Sequence, residues 1–585
     1  MPLRRINVLA AIVGLGCLAP ILTVPLAAQT YKYEAELGTR TGTNIASSVA
    51  GYSGTGYVTG FDGTNDAVGW NVTVPQGLYD LWLGYRSQFG EKGYDLRIGT
   101  NTSSGMFAPS TTFAREYAGQ YYLDAASTPI SVLRGWGYYD VDYLELQATA
   151  PRVPLPVAPT LSNPNASANA KYLMRHLAES YGQETLFSLQ RDLGVTNAMF
   201  SNTYMNYVGN TMPAIVGSDL MEYSPSRVAR YDQRRGETER MINWAQQTGG
   251  IVSLMWHWNA PSGLIDQPGK EWWRGFYTDA TTFNLGAALA NPAGSDYQLL
   301  IRDIDVIAAE LQKYKAADIP VLWRPLHEAQ GNDSGAWFWW GASGPTALKQ
   351  LWGLMYDRLT NHHQLNNLIW VTTQQVDASN WQAWYPGDNQ ADIVGIDVYS
   401  SAGDNMSARW LELLDQFDGE KLLALSETGA LPTADAFERY GVAWSYFMPW
   451  ALDILSGNHT AAQVQAILDD PEIISLNELQ VTPWRQILSQ VGDFDGDGVV
   501  DLDDLAVWRD HFGLGASSPA DANDDGVVNA ADYTLWRDAR GGAASSAAVP
   551  EPSAIVLGLV VFSGFLRRNR RIVCRIAQCD QPVGN

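Results

Sequence analysis

Residues 323–341 read WRPLHEAQGNDSGAWFWWG: one glutamate just past a short apolar run, followed within a dozen residues by three tryptophans and a phenylalanine. Residues 319–322 are apolar or β-favouring, and Pro325 with the polar run behind it stops a strand there. Glu328 is then a carboxyl at the mouth of a sheet, beside aromatic faces. Apolar neighbours disfavour the charged form and raise the pKa of such a carboxyl, which suits a general acid. The residues by themselves also allow a strand-end glutamate in a salt bridge beside a surface aromatic cluster.

Around this stretch, over 171–490, strand-like apolar runs alternate with helical ones. The runs are 184–190, 212–221, 250–258, 320–328, 367–373, 393–399, 421–427 and 444–450, with amphipathic helices clearest at 299–315 and 346–363. Eight strands, each followed by a helix, predict a (β/α)8 TIM barrel, whose reactive groups sit at the C-terminal strand ends. The third run ends in Trp256, His257 and Trp258, and the fourth in Arg324, His327 and Glu328. The sixth ends in Asp397 and Tyr399, the seventh in Glu427 and the eighth in Trp450. Glu328 and Glu427 thus face one another across the mouth. Retaining glycoside hydrolysis needs two carboxyls about 5 to 5.5 Å apart, one to protonate the leaving oxygen and one to attack the anomeric carbon. The pair fits that chemistry.

The chain is 585 residues long, enough for two to four domains. With 38 basic against 62 acidic residues its net charge is −24, which argues against nucleic acid or anionic lipid as the main partner. Cys17, Cys574 and Cys579 all fall in the terminal segments, so no disulfide is expected in the folded body. The 22 Trp and 28 Tyr supply flat amphipathic rings that suit sugars, although such rings also fill ordinary cores.

Residues 1–28 carry Arg4 and Arg5, an apolar run and a small-residue end, and read as a secretory signal peptide cut after Ala28. Short alternating runs over 29–148, at 69–74, 79–85, 94–98 and 141–146, predict an N-terminal β-sandwich. Residues 149–170, rich in Pro, Ala, Ser and Asn, read as a semi-stiff linker. Over 491–541 the segments DFDGDGVVDLDD and DANDDGVVNAAD repeat with a period of 28. Each sets out oxygen ligands as a calcium loop does, with Gly at the sixth position: Asp493, Asp495, Asp497, Val499 through its carbonyl, Asp501 and Asp504, then Asp521, Asn523, Asp525, Val527, Asn529 and Asp532. The final stretch, 542–585, is a small-residue linker, a Pro-Glu-Pro motif, an apolar run too short to span a membrane comfortably, and an arginine cluster.

Four resemblances follow from these motifs. WRPLHE with WFWWG, LSETG about a hundred residues on, and MWHWNAP upstream resemble glycoside hydrolase family 26, best known for endo-β-1,4-mannanases. That resemblance implies Glu328 as acid/base and Glu427 as nucleophile. It also implies His257, His327, Tyr399, Trp450, Trp337 and Trp340 around the substrate, with Arg324 buttressing a catalytic carboxylate. It leaves open β-1,3-xylan or mixed-linkage β-glucan in place of mannan. A non-catalytic glycan-binding protein is the alternative of another class. YEAELG, GYSGTGYVTGFD and RGWGYYDVDYLEL resemble a family 35 carbohydrate-binding module. That likeness implies a structural calcium on Glu34, Glu36 and Asp142, with Trp136 as a sugar platform or a rim residue packed on the sandwich. The acidic repeats, with Asp at position 12 and the helices LAVWRDHFG and YTLWRDARG, resemble a type I dockerin, a small helical EF-hand-like unit that implies calcium and a cohesin partner. The C-terminal tail resembles the PEP-CTERM tail of bacterial exported proteins, implying sorting machinery and a secreted or cell-surface location.

Overall fold

The computed structural model describes residues 29–543 apart from 210, 231–235, 333, 376–379, 401–403, 482–491, 496–499, 516–517 and 524–525. The expected signal peptide, the tail from 544 onward, and the expected ligands Asp497, Val499 and Asp525 lie outside the described residues. No described helix is long and apolar enough to cross a membrane.

Eight parallel strands close into the expected barrel. They are β1 (Thr185–Gln190), β2 (Ile215–Asp219), β3 (Ile251–Met255), β4 (Val321–Arg324), β5 (Leu368–Gln375), β6 (Ile393–Val398), β7 (Leu422–Thr428) and β8 (Tyr446–Pro449). Each pairs with the next, and β1 pairs with both β8 and β2, which completes the ring. Every residue of the eight strands is buried. A sheet covered on both faces requires this, and it is why the strands read as continuous apolar runs rather than alternating ones. The helix Ser295–Ala316 buries Leu300, Ile304, Ile307, Leu311 and Tyr314, one apolar stripe at helical spacing. The helix expected over 346–363 is Gly344–Asp357, continued by a π-helical turn at Arg358–His362.

Residues 30–149 form two antiparallel sheets, of six and five strands, packed around Val68, Leu81, Leu83, Leu96, Val132 and Leu144. The segment expected to be a linker is laid along the barrel. Arg152 pairs with Asp415 and Asp418, and the backbone N–H of Leu155 donates to Asp418 Oδ1 at 2.7 Å. Ser162 N donates to Asp392 Oδ1 at 2.5 Å, and Val157 is buried. The first barrel helix, Ala168–Ser180, begins inside that segment because the Ser167 side chain caps it by accepting from Ala170 N. The sandwich meets the barrel where Tyr122 N donates to the Tyr440 hydroxyl at 2.9 Å and Arg439 lies 4.6 Å over the Tyr122 ring.

The described residues from 492 onward form a second compact unit. It contains the helices Leu502–His511 and Ala530–Ala543, each following an acidic loop. Asp504 accepts from the N–H groups of Phe494, Asp495 and Asp501; Asp532 accepts from those of Ala522, Asn523 and Asn529, the same three bonds 28 residues on. Trp508 Nε1 donates to the Asn529 carbonyl at 2.9 Å, and Trp536 Nε1 to the Asp501 carbonyl at 2.8 Å. Each helix therefore closes the loop of the other repeat.

Candidate active site

Beyond Arg324 the chain leaves β4 through Pro325, and both Leu326 (φ 52°) and Glu328 (φ 51°) adopt left-handed backbone. That conformation is uncommon for residues with a side chain, costs about 1–3 kcal/mol at each, and persists where surrounding structure enforces it. Here the enforcing contacts come from the aromatic run behind Glu328. Trp340 Nε1 donates to the His327 carbonyl at 2.9 Å, Trp339 Nε1 to the Trp258 carbonyl at 2.6 Å, and Trp337 Nε1 to Glu328 Oε2 at 2.8 Å.

Across the mouth, Glu427 near the end of β7 is held by two donors. Arg324 Nη2 donates to its Oε2 at 2.5 Å, and the Tyr399 hydroxyl donates to its Oε1. Arg324 also donates through Nη1 to Asp397 Oδ2 at 2.8 Å, while Ser426 Oγ donates to Asp397 Oδ1 at 2.7 Å. One oxygen each from Glu328, Asp397 and Glu427 lies within 4.8 Å of the others. The guanidinium of Arg324 supplies the positive charge that lets such a cluster exist in the interior.

The two glutamates have different surroundings. Burial first, then the negative charges of Glu427 and Asp397, push the Glu328 carboxyl well above its ordinary range. Glu427 instead receives a charge-assisted bond and a phenolic one, both of which stabilise negative charge on it. The Tyr399 phenol is itself raised, by burial and then by the Glu427 charge, and remains a donor. A protonated acid faces a stabilised carboxylate. Beneath them His257 Nδ1 lies 2.6 Å from Asp219 Oδ2, and its Nε2 lies 3.2 Å from His327 Nε2. Burial first, then Arg324 and His257, lower the His327 imidazole well below its ordinary value, which keeps it neutral.

These groups open on a cavity of about 560 Å³. Glu328, Glu427, His257, Tyr399, Trp337 and Trp450 line it as expected. Trp340 does not: it is fully buried, with its indole N–H turned inward to the His327 carbonyl and its ring stacked 4.5 Å from Phe338, which takes the wall position instead. His327 and Arg324 are also buried and lie outside the lining, so the first supports His257 and the second braces Glu427. Tyr277, Phe338, Gln375, Val398, Ser400, Asp404 and Arg409 complete the walls, and none of them stands out in the sequence. Asp219, which orients His257, was likewise not singled out; it closes the run IVGSD at the end of β2.

In the sandwich, Glu34, Glu36 and Asp142 converge on the 53–55 turn. Ser53 N donates to Asp142, Ser53 Oγ to Glu34 Oε1 at 2.8 Å, and Thr55 N to Glu36 Oε1 at 2.6 Å. The second oxygens of both glutamates are buried without a hydrogen-bond partner. Gly54, at φ 63°, is pressed so close that a Cβ would sit 2.5 Å from Glu36 Oε1. An all-oxygen set with unsatisfied carboxylate atoms fits a calcium ion. Trp136 is 58% exposed and lies against Gly93, which has no Cβ to lift the ring. In the C-terminal unit, oxygens of Asp493, Asp495 and Asp504 come within 4.8 Å of one another. The Gly526 N–H donates to Asp521 Oδ2 at 2.9 Å in the second loop.

Residues 162–478 match the pattern of glycosyl hydrolase family 26, and residues 31–149 that of the family 35 carbohydrate binding module. The chain is 39% identical over 460 residues to a mannan endo-1,4-β-mannosidase of Thermothelomyces thermophilus, an overlap of 77% of this chain and 90% of that one. It is 31% identical to mannan endo-1,4-β-mannosidase B of a Piromyces species, across 76% of this chain and 77% of that one. The crystal structure of a Podospora anserina GH26-CBM35 β-(1,4)-mannanase is similar with a TM-score of 0.57 and 40% identity, covering 78% of this chain and all of that one.

Proposed function

This chain belongs to glycosyl hydrolase family 26, and from that premise we propose how its pocket works as an endo-β-1,4-mannanase with Glu328 as acid/base and Glu427 as nucleophile. The observation that carries the assignment is the asymmetry of the pair, one carboxyl kept protonated by burial and the other braced by Arg324 and Tyr399. Glu328 donates its proton to the glycosidic oxygen while Glu427 attacks the anomeric carbon, and the bond to the leaving chain breaks. The resulting glycosyl ester on Glu427 is then opened by a water that Glu328, now a base, deprotonates, and configuration is retained. Approach of the carboxyl oxygens to within 4.8 Å supports this short-range geometry over the 6.5–9.5 Å spacing of inverting enzymes. Product analysis on mannan, xylan and lichenan tests the reading: short β-1,4-manno-oligosaccharides from mannan are expected. Turnover confined to xylan or lichenan would overturn the substrate, and full activity of Glu427→Ala would overturn the nucleophile.

The remaining modules extend this reading. The sandwich anchors the enzyme on mannan through Trp136, with calcium on Glu34, Glu36 and Asp142 rigidifying the adjoining turn. The C-terminal repeats form a type I dockerin-like unit that takes calcium in both loops and docks on a cohesin-bearing protein. The acidic clusters and the matched bonding of Asp504 and Asp532 support this. Residues 1–28 and the PEP-CTERM-like tail direct export and sorting. Calorimetric titration with calcium tests the loops, and mass spectrometry of the exported protein tests both ends.

A further inference from the structure

Gln375 is the last residue of β5, the strand between the one that leads to Glu328 and the one that carries Asp397. Side chains two apart on a strand share a face. Thr373 accepts from Arg324 inside the barrel, so Gln375 projects on the same inner face, one step nearer the mouth. Its side chain lines the active-site cavity. Yet the residue is only 6% exposed, and its Oε1 is buried without a hydrogen-bond partner. A buried amide oxygen left unmatched carries its desolvation cost uncompensated, which is tolerable where a ligand supplies the donor.

The closed ring fixes which part of the ligand that is. A line from β4, which leads to Glu328, to β7, which carries Glu427, divides the mouth into two arcs. His257, just after β3, and Trp450, just after β8, lie on one arc with their rings 5.8 Å apart. Gln375, Ser400, Asp404 and Arg409 follow from β5 and β6 on the other. The scissile bond sits between the two carboxylates, so one arc holds the sugar that is attacked and the other the sugar that leaves. Both β6 and β8 adjoin the strand of the nucleophile, but on the β8 side Trp450, whose backbone N–H donates to the carbonyl of Thr428 next to Glu427, offers the cavity a flat indole face on which the attacked sugar can stack. We infer that the Gln375 amide accepts a hydrogen bond from a hydroxyl of the leaving-side mannosyl unit, making it a substrate-contacting residue that aligns the leaving oxygen with Glu328. This rests on the mannanase reading above.

The leaving group itself supplies the test. Gln375→Met keeps the length of the side chain and removes its hydrogen bonding. Kinetics are compared on mannopentaose, whose leaving half is sugar, and on dinitrophenyl β-mannobioside, whose leaving half has no sugar hydroxyl. The expected result is a loss in kcat/KM of about 10-fold or more on mannopentaose, the size of one bond to a buried polar group, with under a twofold change on the aryl substrate. Gln375→Glu, which keeps the acceptor, should recover part of the loss. Equal losses on both substrates would place Gln375 with the catalytic pair or the attacked sugar and overturn the inference. No loss on either would mean that the amide meets no substrate hydroxyl, and would overturn it too. A wild-type enzyme inactive on mannopentaose would instead overturn the mannanase reading, so the two failures are distinct.

Discussion

Trp337 donates its indole hydrogen to Glu328 across 2.8 Å, although the two residues leave β4 along a backbone that is strained at Glu328 itself. The bond favours the charged form of the acid and so partly opposes the burial that raises its pKa. In Trp337→Phe the opposing bond is gone and the Glu328 pKa rises further. Because the first step needs the protonated acid, the alkaline limb of kcat/KM should move to higher pH, while kcat falls about 10-fold through poorer alignment. A limb that moves to lower pH would count against Glu328 as the acid.

Arg324 spans two carboxylates, Glu427 and Asp397, with two different nitrogens. An ammonium group cannot make that planar fork. Arg324→Lys should therefore lower kcat by roughly 100-fold with little change in KM, since it disturbs the nucleophile rather than the sugar platforms. Arg324→Met leaves buried carboxylates without their cation, and a destabilisation of about 3–5 kcal/mol is expected in denaturant melts.

Burial, with the Glu34 and Glu36 charges added, pushes Asp142 up to about 6 from its ordinary 3.8. A folded value above the unfolded one means that the metal-free sandwich is favoured below about 3.8 and loses that contribution as pH rises through about 6. Calcium should consequently raise the melting temperature by on the order of 5 °C at pH 7 and by much less at pH 4. Asp142→Asn separates this response from that of the C-terminal loops, because the sandwich increment should vanish while theirs remains.

Trp136→Ala should reduce retention on insoluble mannan roughly 10-fold, the scale of one lost stacking ring, and leave hydrolysis of soluble oligosaccharides unchanged. Pull-down and turnover of the full chain on both forms of substrate measure the two effects.

The architecture was legible because strands buried on both faces leave unbroken apolar runs, and the chain carries eight of them in the right spacing. The ends of those runs were less so. The fifth apolar run ends at Thr373, yet β5 extends to Gln375, so a cavity-lining amide lies beyond the end that the apolar pattern marks. The second run continues to Met221, past the strand end at Asp219, which hides the carboxylate that orients His257. Neither boundary is set locally; each depends on what the neighbouring strand offers to pair with. The aromatic run failed for a different reason. Three tryptophans in four positions have the same chemistry on paper, and only the carbonyls of Trp258 and His327 decide that Trp339 and Trp340 turn inward. The linker composition likewise said nothing of Asp415 and Asp418 waiting on the barrel to seize Arg152.

That last grip changes what kind of instrument the molecule is. A module on a loose tether raises the local supply of substrate but leaves the place of cutting to chance. Here the strap through Arg152, Leu155 and Ser162, together with Tyr122 on Tyr440, holds the sandwich that carries Trp136 at one set span from the cleft. With Trp136 stacked on a mannan chain lying straight in a solid fibre, ring and cleft would work like the fixed jaws of a gauge, and cuts should recur at a preferred interval from each point of attachment.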